Sequence, residues 1–157
     1  MTRAFLAFGG NIGDVAQAFR AALAALRADE RVRVLQESPL YRTPPWGKTD
    51  QPDFLNMVAE IETDLSAHAL LDLCLEIERA SGRVRDERWG PRNIDLDVIA
   101  YGDAVISDEH LTLPHPHAHE RAFVLAPLNE IAPDLMINGK SVSEWLAQTD
   151  KSGMTRI

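Results

Sequence analysis

Asp95 and Asp97 stand one residue apart inside an apolar run, Asn93-Ile94-Asp95-Leu96-Asp97-Val98-Ile99. In an extended chain alternate side chains share a face, so the two carboxylates project together while Ile94, Leu96 and Val98 turn to the core. Paired carboxylates repel unless a cation lies between them. Oxygen-only ligation suits Mg²⁺, which binds through one or two carboxylates together with substrate phosphates. A solvated strand face is the alternative, against which the depletion of aspartate in strands weighs. Just upstream, Arg79, Arg83, Arg85, Arg88 and Arg92 put five arginines within fourteen residues. A guanidinium keeps its charge and offers a planar fork of donors. Joined to the carboxylate pair through Trp89-Gly90-Pro91, the cluster fits a polyphosphate with its metal; paired with Asp86 and Glu87, it is instead a charged surface loop.

Three other groups have chemistry-bearing types. Thr43-Pro44-Pro45-Trp46, with Phe54 and Asn56, offers two aromatic rings and an amide that suit a flat heterocycle, with ordinary core packing as the alternative. Gly9-Gly10-Asn11-Ile12-Gly13 lacks both the Gly-Lys-Ser/Thr ending of a phosphate loop and the dinucleotide fingerprint. It reads as a tight strand-to-helix turn, or failing that as a backbone wall beside a ligand. His115, His117 and His119 have zinc-like spacing if extended, but Pro114 and Pro116 argue against a regular strand. A phosphate contact by one histidine beside Arg121 suits them better.

The elements that must hold these residues follow from periodicity. Residues 3–8 read as a buried strand, and residues from about 14 to 28 as a helix with Val15, Phe19, Ala22, Leu23 and Leu26 on one face. Val32, Val34 and Leu35 suggest a second strand. The stretch Ser38 to Gly47 is too rich in proline for regular structure. In residues 54–62, Met57, Ala59 and Ile61 alternate with Glu60 and Glu62, as in a half-exposed strand. Ser66 is a candidate N-cap for a helix to about Ala80, with Gly82 placed as its C-terminal glycine. Residues 93–101 form an apolar strand. Beyond them lie short segments, a strand or turn near Phe123 to Leu128, and a short helix near Val142 to Leu146. The order βαββαβ with additional C-terminal strands and helices predicts an α+β sandwich with a ferredoxin-like core.

The chain has 157 residues, which suits one domain over residues 1–157. Against 16 Lys+Arg stand 24 Asp+Glu, a formal net charge of −8. That balance disfavours nucleic acid or a membrane surface as partner. The single cysteine, Cys74, falls on the apolar stripe of the second helix. It excludes an internal disulfide and suits a reducing, cytoplasmic setting. Trp145 reads as a core residue. No apolar run approaches membrane-spanning length, and the first residues lack a signal-peptide pattern.

Read together, the segments Arg88 to Ile99, Tyr41 to Pro45, Asp50 to Asn56, Leu113-Pro114-His115 and Arg121-Ala122-Phe123 resemble, in order, the 6-hydroxymethyl-7,8-dihydropterin pyrophosphokinases of folate biosynthesis. The resemblance runs from Phe5 to about Pro133 and implies a three-layer α/β/α sandwich that acts as a monomer, with ATP and the pterin alcohol as its partners. It implies that Asp95 and Asp97 hold two Mg²⁺ ions with ATP, and that Arg83 and Arg92 on a catalytic loop stabilise charge on the transferred group. Glu78, Arg85, Trp89, Val98, His115 and Arg121 would serve the nucleotide. Thr43, Pro44, Trp46, Phe54 and Asn56 would line the pterin slot, with Phe123 on one face of the ring and Trp89 closing over the other. Phe54 stands where the family often has tyrosine, and Trp46 where it has an aliphatic residue.

Overall fold

Strand β1 (Thr2–Gly10) is apolar on both faces because both faces are covered. Ala4, Leu6 and Phe8 enter one buried cluster, and Phe5 and Ala7 enter the other on the opposite side of the sheet. The computed structural model describes residues 1–45, 50–81 and 94–157. From β1 the chain passes through α1 (Val15–Ala28), β2 (Val32–Glu37), β3 (Tyr41–Thr43), β4 (Phe54–Thr63), α2 (Ala67–Ala80) and β5 (Asp95–Tyr101). A hairpin of β6 (Ile106–Ser107) and β7 (Thr112–Leu113), a single 3-10 turn at Ala118–Glu120, and α3 (Ala122–Ile131) follow. The hairpin β8 (Met136–Ile137) and β9 (Lys140–Ser141), α4 (Val142–Gln148) and β10 (Thr155–Arg156) complete the described elements.

The main sheet has the order β10-β3-β4-β1-β5, with β2 also paired to β4, and every pairing is antiparallel. β2 and β3 therefore lie end to end along one edge of β4, with β1 on the other. This is a mixed α/β fold with a central antiparallel sheet and, among the described residues, four helices.

Helices α1 and α2 cover one face. Asp14 caps α1 by accepting from the Gln17 N–H at 3.0 Å, and Ser66 caps α2 by accepting from the Ala69 N–H at 3.1 Å. Their buried stripes, Val15, Phe19, Ala22, Leu23 and Leu26, and Leu70, Leu73, Cys74 and Ile77, recur at helical spacing as the sequence predicts. The expected cap at Gly82 lies outside the described residues; Ser81 is the C-cap of α2.

Four expectations need correction. Residues 122–131 form the helix α3, not a strand or turn near Phe123 to Leu128. The helix lies between the sheet and α4 and buries Val124, Leu125, Ala126, Pro127 and Leu128 consecutively, so it carries no amphipathic period to read. Within the proline-rich stretch, Tyr41–Thr43 is a regular strand, because β4 and β10 supply partners on its two sides. And β4 is not half-exposed: α3 covers its second face, Glu60 is only 7% exposed, and its carboxylate accepts from Gln36 Nε2 at 2.9 Å. Trp145 is half-buried rather than fully core; it packs on the second cluster and donates from Nε1 to the Ile137 carbonyl at 2.5 Å.

Candidate functional site

Cross-strand pairing builds the floor of the site. Gly9 on β1 pairs with Asn56 on β4 and with Asp95 on β5, and Ala7 pairs with Val58 and Asp97. Directly paired residues of neighbouring strands share a face, so Asn56, Gly9 and Asp95 form one row, and Val58, Ala7 and Asp97 the next. Thr43 opposite Phe54 extends the same face across β3. The central strand thus contributes only glycine and alanine between an amide-and-aromatic side and a carboxylate side. With strands about 4.8 Å apart, the two sides lie roughly 10 Å from each other. The small residues leave room for a cleft of about 760 Å³, on the sheet face that carries α3 and at that helix's N-terminal end.

The glycine requirement is local and steric. A Cβ on Gly9 would stand 3.3 Å from Asn56 Oδ1, closer than ordinary packing permits. Asn56 is 6% exposed and donates from Nδ2 to Thr43 Oγ1 at 3.1 Å, so its amide is held in one orientation. Asn11, just past β1, donates from its amide to Gln51 Oε1 at 2.8 Å and to the Pro52 carbonyl at 3.3 Å. It thereby ties the entry of β4 to the end of β1.

On the carboxylate side, β5 alternates as expected: Leu96 and Val98 join the cluster under α1 and α2, while Asp95, Asp97 and Ile99 line the cleft. Asp95 is half-buried and Asp97 exposed. Glu78 does not line the cleft. It is 4% exposed on α2 and accepts from the Leu96 N–H at 3.2 Å, on the backbone between the two aspartates. The pair brings only hard oxygen donors to the cleft wall. Among the described residues no third His, Cys, Asp or Glu gathers with them to complete a metal cage. That donor set fits Mg²⁺, which keeps waters and takes phosphate oxygens for its remaining positions.

His115 is anchored beside β5 by its N–H, which donates to the Ile99 carbonyl at 2.9 Å. Its Nδ1 accepts from the His117 N–H at 3.2 Å, which leaves the ring proton on Nε2. Burial, reinforced by the positive charges of Arg121 and His117, pushes the imidazole down to about 4. His115 therefore enters the cleft as a neutral N–H donor. Arg121 precedes α3 and sets its guanidinium 5.7 Å from the ring centroid of Phe123, in the first turn. Both line the cleft.

The structure thus gathers Thr43, Pro44, Phe54, Asn56, Asp95, Asp97, His115, Arg121 and Phe123 around one cleft. Glu78 and Val98 lie beneath its floor. Trp46, Arg83, Arg85, Trp89 and Arg92 lie outside the described residues. Of the other histidines, His117 also lines the cleft, whereas His119 turns to Trp145, with ring centroids 4.8 Å apart. The glycine-rich stretch is a turn only from Asn11 onward: Gly9 and Gly10 still belong to β1, where two partner strands hold them, and Gly9 is at the same time a cleft wall. Sequence reasoning missed the segment Thr149 to Met154, which closes another side. Its short polar run carries no periodic or motif signal.

The fold is shared with solved structures. A crystal structure of Plasmodium falciparum HPPK-DHPS with SDX-DHP aligns with a TM-score of 0.77 at 14% sequence identity, covering 100% of this chain and 47% of that chain. Sequence narrows this further. Residues 5–133 match the family described as 7,8-dihydro-6-hydroxymethylpterin-pyrophosphokinase, and the chain belongs to that family. It is 56% identical over 157 residues to a 2-amino-4-hydroxy-6-hydroxymethyldihydropteridine pyrophosphokinase of Methylorubrum extorquens, covering 100% of this chain and 99% of the relative. A protein of the same name from Haemophilus influenzae is 42% identical, with 100% and 99% covered. The folic acid synthesis protein of Schizosaccharomyces pombe is 48% identical over 85% of this chain and 18% of its own length. Family membership makes the chain a pyrophosphokinase, a transferase of folate biosynthesis.

Proposed function

We propose that the protein transfers the pyrophosphoryl group of ATP, in the presence of Mg²⁺, to the hydroxymethyl group of 6-hydroxymethyl-7,8-dihydropterin. The observation that carries this reading is the shared floor: an amide-and-aromatic slot and a carboxylate pair on one sheet face, roughly 10 Å apart across strands that contribute only Gly9 and Ala7 between them. That span suits a flat ring at one end and the phosphates it must reach at the other. Bound Mg²⁺ would neutralise phosphate charge and favour in-line displacement.

The chain's own residues bind and orient. Asn56, held by Thr43, reads the polar edge of the pterin, while Phe54, Phe123 and Pro44 flank it. Asp95 and Asp97 would hold the two metal ions, and Glu78 positions the two aspartates by fixing the Leu96 backbone between them from below. Arg121 contributes fixed positive charge to the nucleotide's phosphates, and His115 a neutral hydrogen bond. Val98 belongs to the nucleotide side through β5. Arg83, Arg85 and Arg92, with Trp46 and Trp89, keep the roles that the resemblance implies, and lie outside the described residues. The pterin hydroxyl oxygen forms a bond to the β-phosphorus, the bond from that phosphorus to the α-phosphate oxygen breaks, the hydroxyl proton leaves, and AMP departs. No protein nucleophile is required; proximity and electrostatics supply the rate.

The β5-β1-β4-β2 order, with α1 and α2 on one face, supports a ferredoxin-like core as the frame of this site. Buried, unpaired Cys74 suits the cytoplasm as the place of action, and we take the working unit to be a monomer.

Purified protein incubated with Mg²⁺, ATP and the pterin alcohol is expected to release AMP, in a pterin-dependent and chelator-sensitive way. ADP as the product would make it a single-phosphate kinase, and ATP binding without turnover would make it a binding module. Asp97→Ala, at an exposed position of β5, is expected to keep the fold and lower turnover by on the order of a thousandfold. Near-normal turnover would sink the metal-pair scheme.

A further inference from the structure

The segment 149–157 leaves α4 and folds back over the amide-and-aromatic side of the cleft. The Met154 N–H donates to the Lys151 carbonyl at 3.2 Å, closing a turn whose third residue, Gly153, has φ of +77°. Inside the turn Asp150 Oδ1 accepts from the Ser152 N–H at 2.9 Å and from its hydroxyl at 2.5 Å, which fixes the bend. β10 then pairs with β3, placing Thr155 opposite Arg42 and Arg156 opposite Tyr41, and the Ile157 N–H donates to the Leu40 carbonyl at 2.9 Å. Glu130 at the end of α3 locks the arrangement. Its Oε2 receives the Tyr41 hydroxyl at 2.5 Å and Arg156 Nε at 3.0 Å. The segment is therefore pinned to β3 on one side and to α3 on the other, and both elements also present cleft residues.

The segment comes close to a cleft residue at Gly153. A Cβ there would stand 3.2 Å from Pro44 Cγ and 3.4 Å from Pro44 Cδ. Pro44 is itself a wall of the cleft, so its ring meets both the ligand space and the space a Gly153 side chain would take. Two independent features, a left-handed backbone and a close neighbour that any side chain would press against, fall on the same residue.

We propose that Gly153 is a specificity-determining position of the pterin slot: it lets the segment 149–157 lie flat against Pro44 and so sets the width of the slot. The inference rests on the pterin reading of the cleft and adds to it a residue beyond the matched region, which ends at 133. It acts through Pro44 and is a positioning residue, not a catalytic one.

Gly153→Ala and Gly153→Asn test it. Both add the Cβ that meets Pro44, and asparagine tolerates the left-handed backbone better than alanine, so Gly153→Asn isolates the contact from the strain. In a steady-state AMP-release assay, KM for the pterin is expected to rise about tenfold in both variants, with kcat at saturation and the Kd of a non-hydrolysable ATP analogue within about twofold of the parent. Unaltered pterin KM in folded Gly153→Asn, judged by circular dichroism, overturns the inference and leaves the functional reading standing. Equal losses of pterin and nucleotide affinity also overturn it, because they mark general distortion. A parent protein that binds the ATP analogue and shows no pterin-dependent AMP overturns the functional reading, and this inference with it.

Discussion

His115 carries no charge where an exposed histidine would titrate, and the cause is its surroundings. Burial, with Arg121 and His117 nearby, lowers it from 6.5 to about 4, and the His117 N–H occupies Nδ1. In the unfolded chain the ring returns to its ordinary value and takes up a proton as pH falls below about 6.5. The unfolded state therefore binds more protons between about 6.5 and 4, and stability is lost as pH falls through that window, with no further loss from this group below it. Denaturant melts across the window are expected to show a shallower acid slope for His115→Asn than for the parent. Identical slopes would mean that the ring is already solvated in the native state. The carboxylate pair was legible at this scale because strand parity alone puts Asp95 and Asp97 on one face. The Cβ-free requirement at Gly9 was not, because it arises from Asn56, more than forty residues away.

Helix α4 shows what local chemistry does for a short element. Seven residues are too few to hold a helix alone, so α4 depends on packing and on its cap. Ser141 Oγ accepts from the Glu144 N–H at 3.2 Å while Glu144 Oε1 accepts from the Ser141 N–H at 3.1 Å, a reciprocal capping box. Ser141→Ala is expected to cost about 1 kcal/mol. For a chain of this size that lowers Tm by roughly 2–4 °C, read by calorimetry. No measurable change would show that packing alone holds the helix. Capped, amphipathic α1 and α2 were readable from sequence because one side of each meets solvent. Helix α3 was not: it is buried among the sheet and α4, and Pro127 removes the N–H that would pair with the Phe123 carbonyl. Strand β3 exists through its partners rather than through its own three residues.

Cys74 samples the whole molecule from inside. It lies in the cluster beneath the sheet, where burial first, and then the charges of Glu78 and Asp97, push its thiol up to about 12. Only the thiolate reacts, so native protein is expected to resist a thiol reagent at neutral pH and to label stoichiometrically in strong denaturant. Rapid native labelling would place the thiol at the surface. Across the same sheet, the sequence by itself determined the strands β1, β2, β4 and β5, the two capped helices, the parity of the aspartates and the motifs that carry the family, because each depends on neighbours within a few residues along the chain. Only the tertiary structure decided the rest: that Asn56, Gly9 and Asp95 share one row, that Glu60 is buried, that His115 is neutral, and that the segment 149–154 walls the cleft. These depend on which distant strands pair and what covers them, and that information belongs to the packed sheet rather than to any local stretch of residues.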